Sequence, residues 1–279
     1  LIETVGIVAR LDLREVLPIV ERAETHLQKK GVKTILESTL AKLRKSSSRS
    51  SPLNRMEADL VITIGGDGTL LKTCLNIPRP ETPILAVNMG KRGFLTEVEP
   101  QEMLPAIDRC IEGDYVLERC LKLSSFVGRR GLPDALNDFL VASASPSKVL
   151  GIRVTKDGLP IVECYCDGLI VATPTGSTAH SLSAGGSVLD PGLDAFILTP
   201  NCPLMPTPSI IIPSKSTIQI QPIKLKTKAR ISIDGQYQTT MTKRDTITIK
   251  KSMHYAGLIR FGESFYRRLR SRSPLPADE

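Results

Sequence analysis

The stretch "DLVITIGGDGTLLK", residues 59–72, ends an apolar run in two adjacent glycines and then places a carboxylate, Asp67, between Gly66 and Gly68. Residues 60–64 predict a buried strand and residues 69–76 a helix, so the glycines fall at a strand's carboxyl end. Ligands of open α/β sheets bind beyond such ends. The motif is not a Walker A loop, because GxxxxGK[ST] is absent. It is a poor dinucleotide fingerprint too, since Leu71 stands where a third glycine would sit. Asp67 has two readings. As an N-cap it accepts a first-turn amide and meets the helix dipole favourably. As a site residue it accounts for the paired glycines, because a cap alone does not need its backbone stripped of side chains. Lys72, one turn after Gly68, either brings positive charge toward a bound phosphate or is an ordinary exposed helix lysine.

Outward from this motif, the first half alternates strands and helices. Residues 4–10 and 32–37 predict strands, and residues 13–30 a helix through Val16, Leu17, Val20, Ala23 and Leu27, stopped by Gly31. Residues 83–87 form a further strand leading into the turn "NMGKRGF", and residues 101–112 a helix. Strands apolar on both faces, alternating with helices, imply a parallel sheet covered on both sides. The basic, Ser-rich run at residues 42–54 predicts a mobile, dispensable loop. After Gly113 short β-patterned runs take over: 136–142, 151–155, 161–165, 168–172, 210–212, 217–220, 229–233 and 246–249. "KDGLP", residues 156–160, is a hairpin turn. One segment, 177–186, reads as helical, residues 263–270 as a closing helix, and the last residues as a frayed tail. The fold class expected is a parallel-sheet α/β domain followed by a β-sandwich.

Composition narrows the partners. A net charge of +8 suits anionic ligands. With no Trp, 4% aromatics and no aromatic residues interleaved with a basic patch, nucleic acid is disfavoured. No apolar run approaches the ~20 residues of a membrane helix, and the first residues show no basic-then-apolar secretion pattern. A cytoplasmic protein with no membrane partner is expected. The six cysteines show neither a CxxC nor a zinc spacing, so buried free thiols are expected.

Three further stretches raise the specificity: "LNDFLV" with Asn137 and Asp138, "DGLIVATPTGSTAHSLSAGG" at residues 167–186, and "SIDGQ" with Asp234, Gly235 and Gln236. Together with "GGDGT", and in this order, they strongly resemble the NAD kinase family over residues 5–266. The resemblance implies an α/β domain at 1–116, a β-sandwich NAD-binding domain at 117–255, and a segment at 256–279 returning to the first domain, with NAD in the cleft between the domains. It implies transfer of the γ-phosphoryl of ATP, or of polyphosphate, to the 2′-hydroxyl of the adenosine ribose of NAD, giving NADP. A divalent metal (Mg or Mn) and a homodimer or homotetramer are implied as well. By motif match Asp67 is the general base, with Gly66, Gly68 and Lys72 beside the donor phosphates. Asn137, Asp138, Asp167 and Gln236 contact the nucleotide, and Lys148 matches a basic or polar contact position. Thr175, Thr178, Ala179, His180, Ser181, Leu182 and Ser183 form the nucleotide pocket, and Phe94 caps the cleft.

The sequence departs from the family pattern in places. Asp138 stands where many members have Glu, and His180 where many have Tyr. Leu204, in "CPLMP", replaces a family histidine. An N-cap at Ser177 explains part of the hydroxyl-rich run. Two other functions stay open from sequence: another kinase sharing "GGDGT", of the diacylglycerol kinase or phosphofructokinase kind, and a non-catalytic NAD(P) sensor. Neither kinase explains "TPTGSTAHSLSAGG", and the intact Asp67 argues against a sensor.

Overall fold

The computed structural model describes residues 2–13, 15–45, 49–90, 93–145, 148–224, 228–262 and 265–272. Lys91 and Arg92 of the basic turn, Glu263, and the tail at 273–279 lie outside the described residues. The chain divides into two compact units, Leu1–Arg119 with Ala256–Glu279, and Cys120–Tyr255. Among the described residues no helix is long and apolar enough to cross a membrane.

In chain order the first unit carries β1 (Thr4–Ala9), α1 (Val16–Lys29), β2 (Lys33–Glu37), α2 (Ser38–Arg44), β3 (Ser50–Ser51), β4 (Leu60–Gly65), α3 (Asp67–Asn76), β5 (Ile84–Asn88) and α4 (Met103–Glu112). Strand β6 (Val116–Val127) leads into the second unit. There follow β7 (Arg130–Gly131), β8 (Asp138–Ser143), β9 (Leu150–Lys156), β10 (Leu159–Cys166), β11 (Gly168–Ala172), α5 (His180–Ser183), β12 (Ala195–Asn201), β13 (Ile210–Pro213), β14 (Ile218–Lys224), β15 (Ala229–Ile233) and β16 (Tyr237–Met241). Strand β17 (Ile247–Arg260) carries the chain back, and α6 (Phe265–Arg272) follows it.

The first unit is built on a parallel sheet in the order β3-β2-β1-β4-β5, with the end of β17 beside β5, where Leu258 faces Ile84. Its central strands are apolar on both faces because helices cover them. Helix α1 buries Val16, Val20, Ala23 and Leu27, one stripe of the 3.6-residue repeat. These join Ile7, Ile62, Ile64, Val87 and Ile107 in one core, each large side chain contributing roughly 1.5–3 kcal/mol by leaving water. The second unit holds a six-stranded antiparallel sheet, β13-β12-β11-β8-β15-β16. A second antiparallel sheet there runs β10-β9-β14 and continues into the first part of β17. The expected hairpin joins β9 to β10, with Asp157 and Gly158 at φ 51° and 84°. A parallel α/β sheet followed by antiparallel sheets is the architecture the sequence predicts.

Corrections concern local detail. The basic run at 42–54 is not one loop. Helix α2 extends to Arg44, whose guanidinium pairs with Glu24. Ser50 and Ser51 add a short strand beside Leu36 and Glu37, and Leu53 is buried in a 3₁₀ turn. Strands β6, β12 and β16 were not expected. The segment at 177–186 is only partly α-helical: a 3₁₀ turn at Thr175–Thr178 precedes the four-residue α5. The cysteines are free thiols, five buried and Cys202 exposed.

Candidate functional site

Asp67 opens helix α3, but it is not its N-cap. Gly66 occupies that position, and no side chain caps the helix. The carboxylate turns instead to a distant segment. Its Oδ2 accepts the amide N–H of Phe94 and its Oδ1 that of Leu95, each at 2.9 Å. Two main-chain donors thus define the plane of the carboxylate. Asp67 is half-buried with Gly68 exposed beside it. Phe94 meets Asp67 through its backbone. Its ring is buried and lies edge-on to Phe265, centroids 5.5 Å apart, so it fills the unit rather than presenting a face. Lys72 is exposed on the same helix.

The glycines before Asp67 differ. A side chain at Gly65 would strike Thr69 and Arg10. At Gly66 a Cβ would meet nothing within 4 Å among the described residues, and φ −105° with ψ −171° is extended backbone open to any residue. Packing explains the first glycine. The second leaves open space beside Asp67.

In the second unit the structure gathers three motif stretches around one carboxylate. Asp234 sits at φ 50° in the turn between β15 and β16, buried, and accepts the amides of Leu136 at 2.8 Å, Asn137 at 2.8 Å and Asp138 at 3.0 Å. The "TPTGST" turn closes on the same backbone. Thr173 donates its hydroxyl to the Leu136 carbonyl at 2.6 Å and its amide to the Asn137 carbonyl at 2.9 Å. A Cβ on Gly176 would collide with the Asn137 backbone, so only glycine permits this approach. Asn137 is thereby held from three sides. Its side-chain Oδ1 is buried with no hydrogen-bond partner among the described residues, a costly state that a ligand donor would relieve.

Burial pushes the Asp138 carboxyl up to about 7, with Asp234 adding to the rise. Asp234 is also raised, by burial, against the pull of its three amides and of Lys122. Two neighbouring buried carboxyls resist carrying two charges.

The remaining candidates are distributed unevenly. Thr178 is buried, its hydroxyl on the Thr175 carbonyl at 3.1 Å, while Thr175 and Ala179 are half-buried. Ser177 is not an N-cap: its hydroxyl donates to the Pro174 carbonyl and accepts the Leu189 amide. Ser181 is buried and bonded to Thr199 at 2.8 Å. His180, Leu182, Ser183 and Gln236 are exposed, as is Lys148 at the edge of the described residues. Asp167 is exposed at the other end of the paired strands, for β8 and β11 run from Asp138↔Ala172 to Ala142↔Gly168. That is roughly 20 Å from Asn137 at ~3.4 Å per strand residue, so only an extended ligand meets both.

Sequence reading gave Asp234 no role of its own. Its signal is the Asp-Gly pair in a turn, where Asp tolerates positive φ, but no local pattern says which amides it takes.

Comparison with known proteins follows these stretches closely. Residues 5–115 match the family model described as ATP-NAD kinase N-terminal domain, and residues 136–261 the one described as ATP-NAD kinase C-terminal domain. An NAD kinase of Methanothermobacter thermautotrophicus is 37% identical over 270 residues, covering 96% of this chain and 95% of that protein. An NAD kinase of Thermococcus kodakarensis is 36% identical over 265 residues, covering 94% and 95%. The crystal structure of an NAD kinase from Archaeoglobus fulgidus in complex with ATP superposes with a TM-score of 0.76 at 27% identity, covering 96% of both chains. Yeast NADH kinase complexed with NADH shares the fold with a TM-score of 0.89 at 23% identity, covering 99% of this chain and 90% of that one.

Proposed function

The chain belongs to the NAD kinase family and is an NAD kinase, and from that premise we propose how its residues divide the work. ATP donates its γ-phosphoryl to the 2′-hydroxyl of the adenosine ribose of NAD, giving NADP. Asp67 is the general base. The observation that carries this role is the carboxylate clasped by two amides beside the open space at Gly66. Phosphoryl transfer passes through a loose transition state, so the carboxylate chiefly orients the hydroxyl and takes its proton late. Its two amide bonds fix where that proton goes.

Asn137, Asp138 and the Thr175–Ser183 run bind the acceptor nucleotide, with Asp234 organising their backbone. The unpartnered Oδ1 of Asn137 takes a donor from NAD. Asp167, Gln236 and Lys148 are exposed contacts for the rest of the dinucleotide. Gly66, Gly68 and Lys72 face the donor phosphates.

Among the described residues no three His, Cys, Asp or Glu side chains gather as a metal cage. A divalent ion, Mg or Mn, is proposed from family resemblance as an aid to phosphoryl transfer. When bound it offsets phosphate charge. A homodimer or homotetramer and a cytoplasmic setting are proposed from family resemblance.

The test is initial-rate measurement with ATP or polyphosphate as donor and NAD or NADH as acceptor, on wild type, Asn137→Ala and Asp167→Ala. NADP should form from ATP and NAD. Each variant should raise the KM for NAD, Asn137→Ala by roughly 5- to 100-fold for a lost buried hydrogen bond, and leave the KM for ATP nearly unchanged. An unchanged KM for NAD in both variants rejects the acceptor assignment.

A further inference from the structure

The turn that clasps Asp67 is itself held by a charge cluster far along the chain. Arg260, the last residue of β17, is buried. Its Nη1 donates to the Leu95 carbonyl at 2.9 Å and to Glu97 Oε2 at 3.0 Å, and its Nε to Glu118. Glu97, its side chain 2% exposed, also accepts the Phe261 amide at 2.6 Å and lies 3.7 Å from Arg268 of α6. One guanidinium thus reaches three segments: the turn, the start of β6, and the Glu97 node that ties down its own neighbour.

Burying such a cluster is a poor way to gain stability, because desolvation cancels much of the attraction. What a guanidinium supplies that apolar packing cannot is direction. Its planar fork sets several acceptors at once in fixed geometry. Here one acceptor is the carbonyl of Leu95, whose own amide binds Asp67 Oδ1. The Leu95 N–H belongs to the peptide before its Cα and the Leu95 carbonyl to the peptide after it, so holding that carbonyl fixes the residue from the side opposite its clasping N–H. Glu97 contributes from the other side, since its amide donates to the Ala86 carbonyl and anchors the turn to β5.

We infer that Arg260 is a positioning residue for the phosphoryl transfer: through the Leu95 carbonyl and Glu97 it aims the amides of Phe94 and Leu95 that orient the Asp67 carboxylate. The inference rests on the reading of Asp67 as base. Arg260 has no contact with the reacting atoms in this account and acts only through the turn.

The test is a double-mutant cycle on kcat with Asp67→Asn and Arg260→Lys, with both KM values and Tm measured in parallel. Lysine keeps the charge and loses the fork. Arg260→Lys should lower kcat roughly 10- to 100-fold, the scale of a misplacement near 1 Å, with both KM values within about twofold. In the Asp67→Asn background the same change should lower kcat less than about threefold, because groups acting as one unit are non-additive. Losses that multiply, or a folded Arg260→Lys enzyme with wild-type kcat, overturn the inference. Near-wild-type turnover of Asp67→Asn alone overturns the base reading instead, so the two failures are distinguishable. If Arg260→Lys does not fold, Glu118→Gln, at the more exposed end of the fork, takes its place in the cycle. It should give a smaller kcat loss that again vanishes with Asp67→Asn, and multiplicative losses there overturn the inference equally.

Discussion

Substituting Asn for Asp67 perturbs two things, and their magnitudes separate them. The carboxylate accepts one amide on each oxygen, both at 2.9 Å. An Asn side chain of the same shape offers one oxygen and one NH₂ group, which is a donor. One of the two amides must therefore lose its acceptor and face another donor. A hydrogen bond to a charged group contributes about 1.5–3 kcal/mol, and half-burial puts Asp67 toward the lower end. Thermal stability should fall by roughly 3–8 °C for a domain of this size. An N-cap would have predicted almost no change, since Asn caps about as well as Asp. The destabilisation cannot account for lost turnover. A protein with ~5–15 kcal/mol of stability remains essentially all folded at 25 °C after losing two of them. If Asp67 is the base, kcat at saturating ATP and NAD should drop by about 10²–10⁴-fold, a barrier increase of roughly 3–5 kcal/mol. The assay couples NADP formation to an NADP-specific dehydrogenase, with Tm followed on the same samples. A lowered Tm with turnover within about fivefold of wild type would refute the catalytic role and leave Asp67 a structural clasp.

Gly66→Ala should change Tm little, because the ~0.4–1 kcal/mol of lost unfolded-chain entropy is offset by alanine's poorer fit at the N-cap position that Gly66 holds. Its kcat/KM for ATP should fall all the same; unimpaired kinetics would show that the open space is not the substrate's. For Asp138, burial raises the carboxyl from 3.8 to about 7, so the folded chain holds a proton that the unfolded chain releases. Stability from this group is present below the unfolded pKa and is lost as pH rises toward about 7. Asp138→Asn should flatten the fall in Tm between pH 4.5 and 7 on that account, and identical slopes in both proteins would reject it. Replacing residues 44–51 by a Gly-Ser linker should now lower Tm by roughly 5 °C, on the scale of ~1–2 kcal/mol, because Arg44 and Ser50–Ser51 are tied to Glu24 and β2. An unchanged Tm would return the segment to a dispensable loop.

The alternation of strand and helix was legible because period-2 and period-3.6 patterns are local, and Val16, Val20, Ala23 and Leu27 fell on the stripe expected of them. Strand β6 was not, because its sequence, VLERCLKLSSFV, interrupts the apolar pattern with Glu118 and Lys122. Both serve buried partners rather than water: Glu118 meets Arg260, and Lys122 is buried near Asp234. A buried charge looks like a surface charge until its partner is placed. The same limit hid the clasp on Asp67, whose donors lie far along the chain. It hid the three amides on Asp234 in the same way. Residue types announced that carboxylates mattered, and only the fold could say what they hold.

The adjacent glycines show where sequence and structure each carry the argument. Both are the same letter at the end of one strand, and both were read as making room for a ligand. For Gly65 that reading fails, since Thr69 and Arg10 already fill the space a side chain would need. Gly93, just before the clasping turn, is likewise crowded by Thr96 and Asn88. These two glycines answer to the interior of the first unit. Gly66 differs: among the described residues nothing lies within 4 Å of the Cβ it lacks, no positive φ demands glycine, and its carbonyl accepts the Thr69 and Leu70 amides as any residue's could. The role proposed for Gly66 rests on that difference: room beside a carboxylate fixed by two amides for the substrates to approach. In the proposed mechanism those substrates bring a hydroxyl to be deprotonated and a phosphoryl group to be moved.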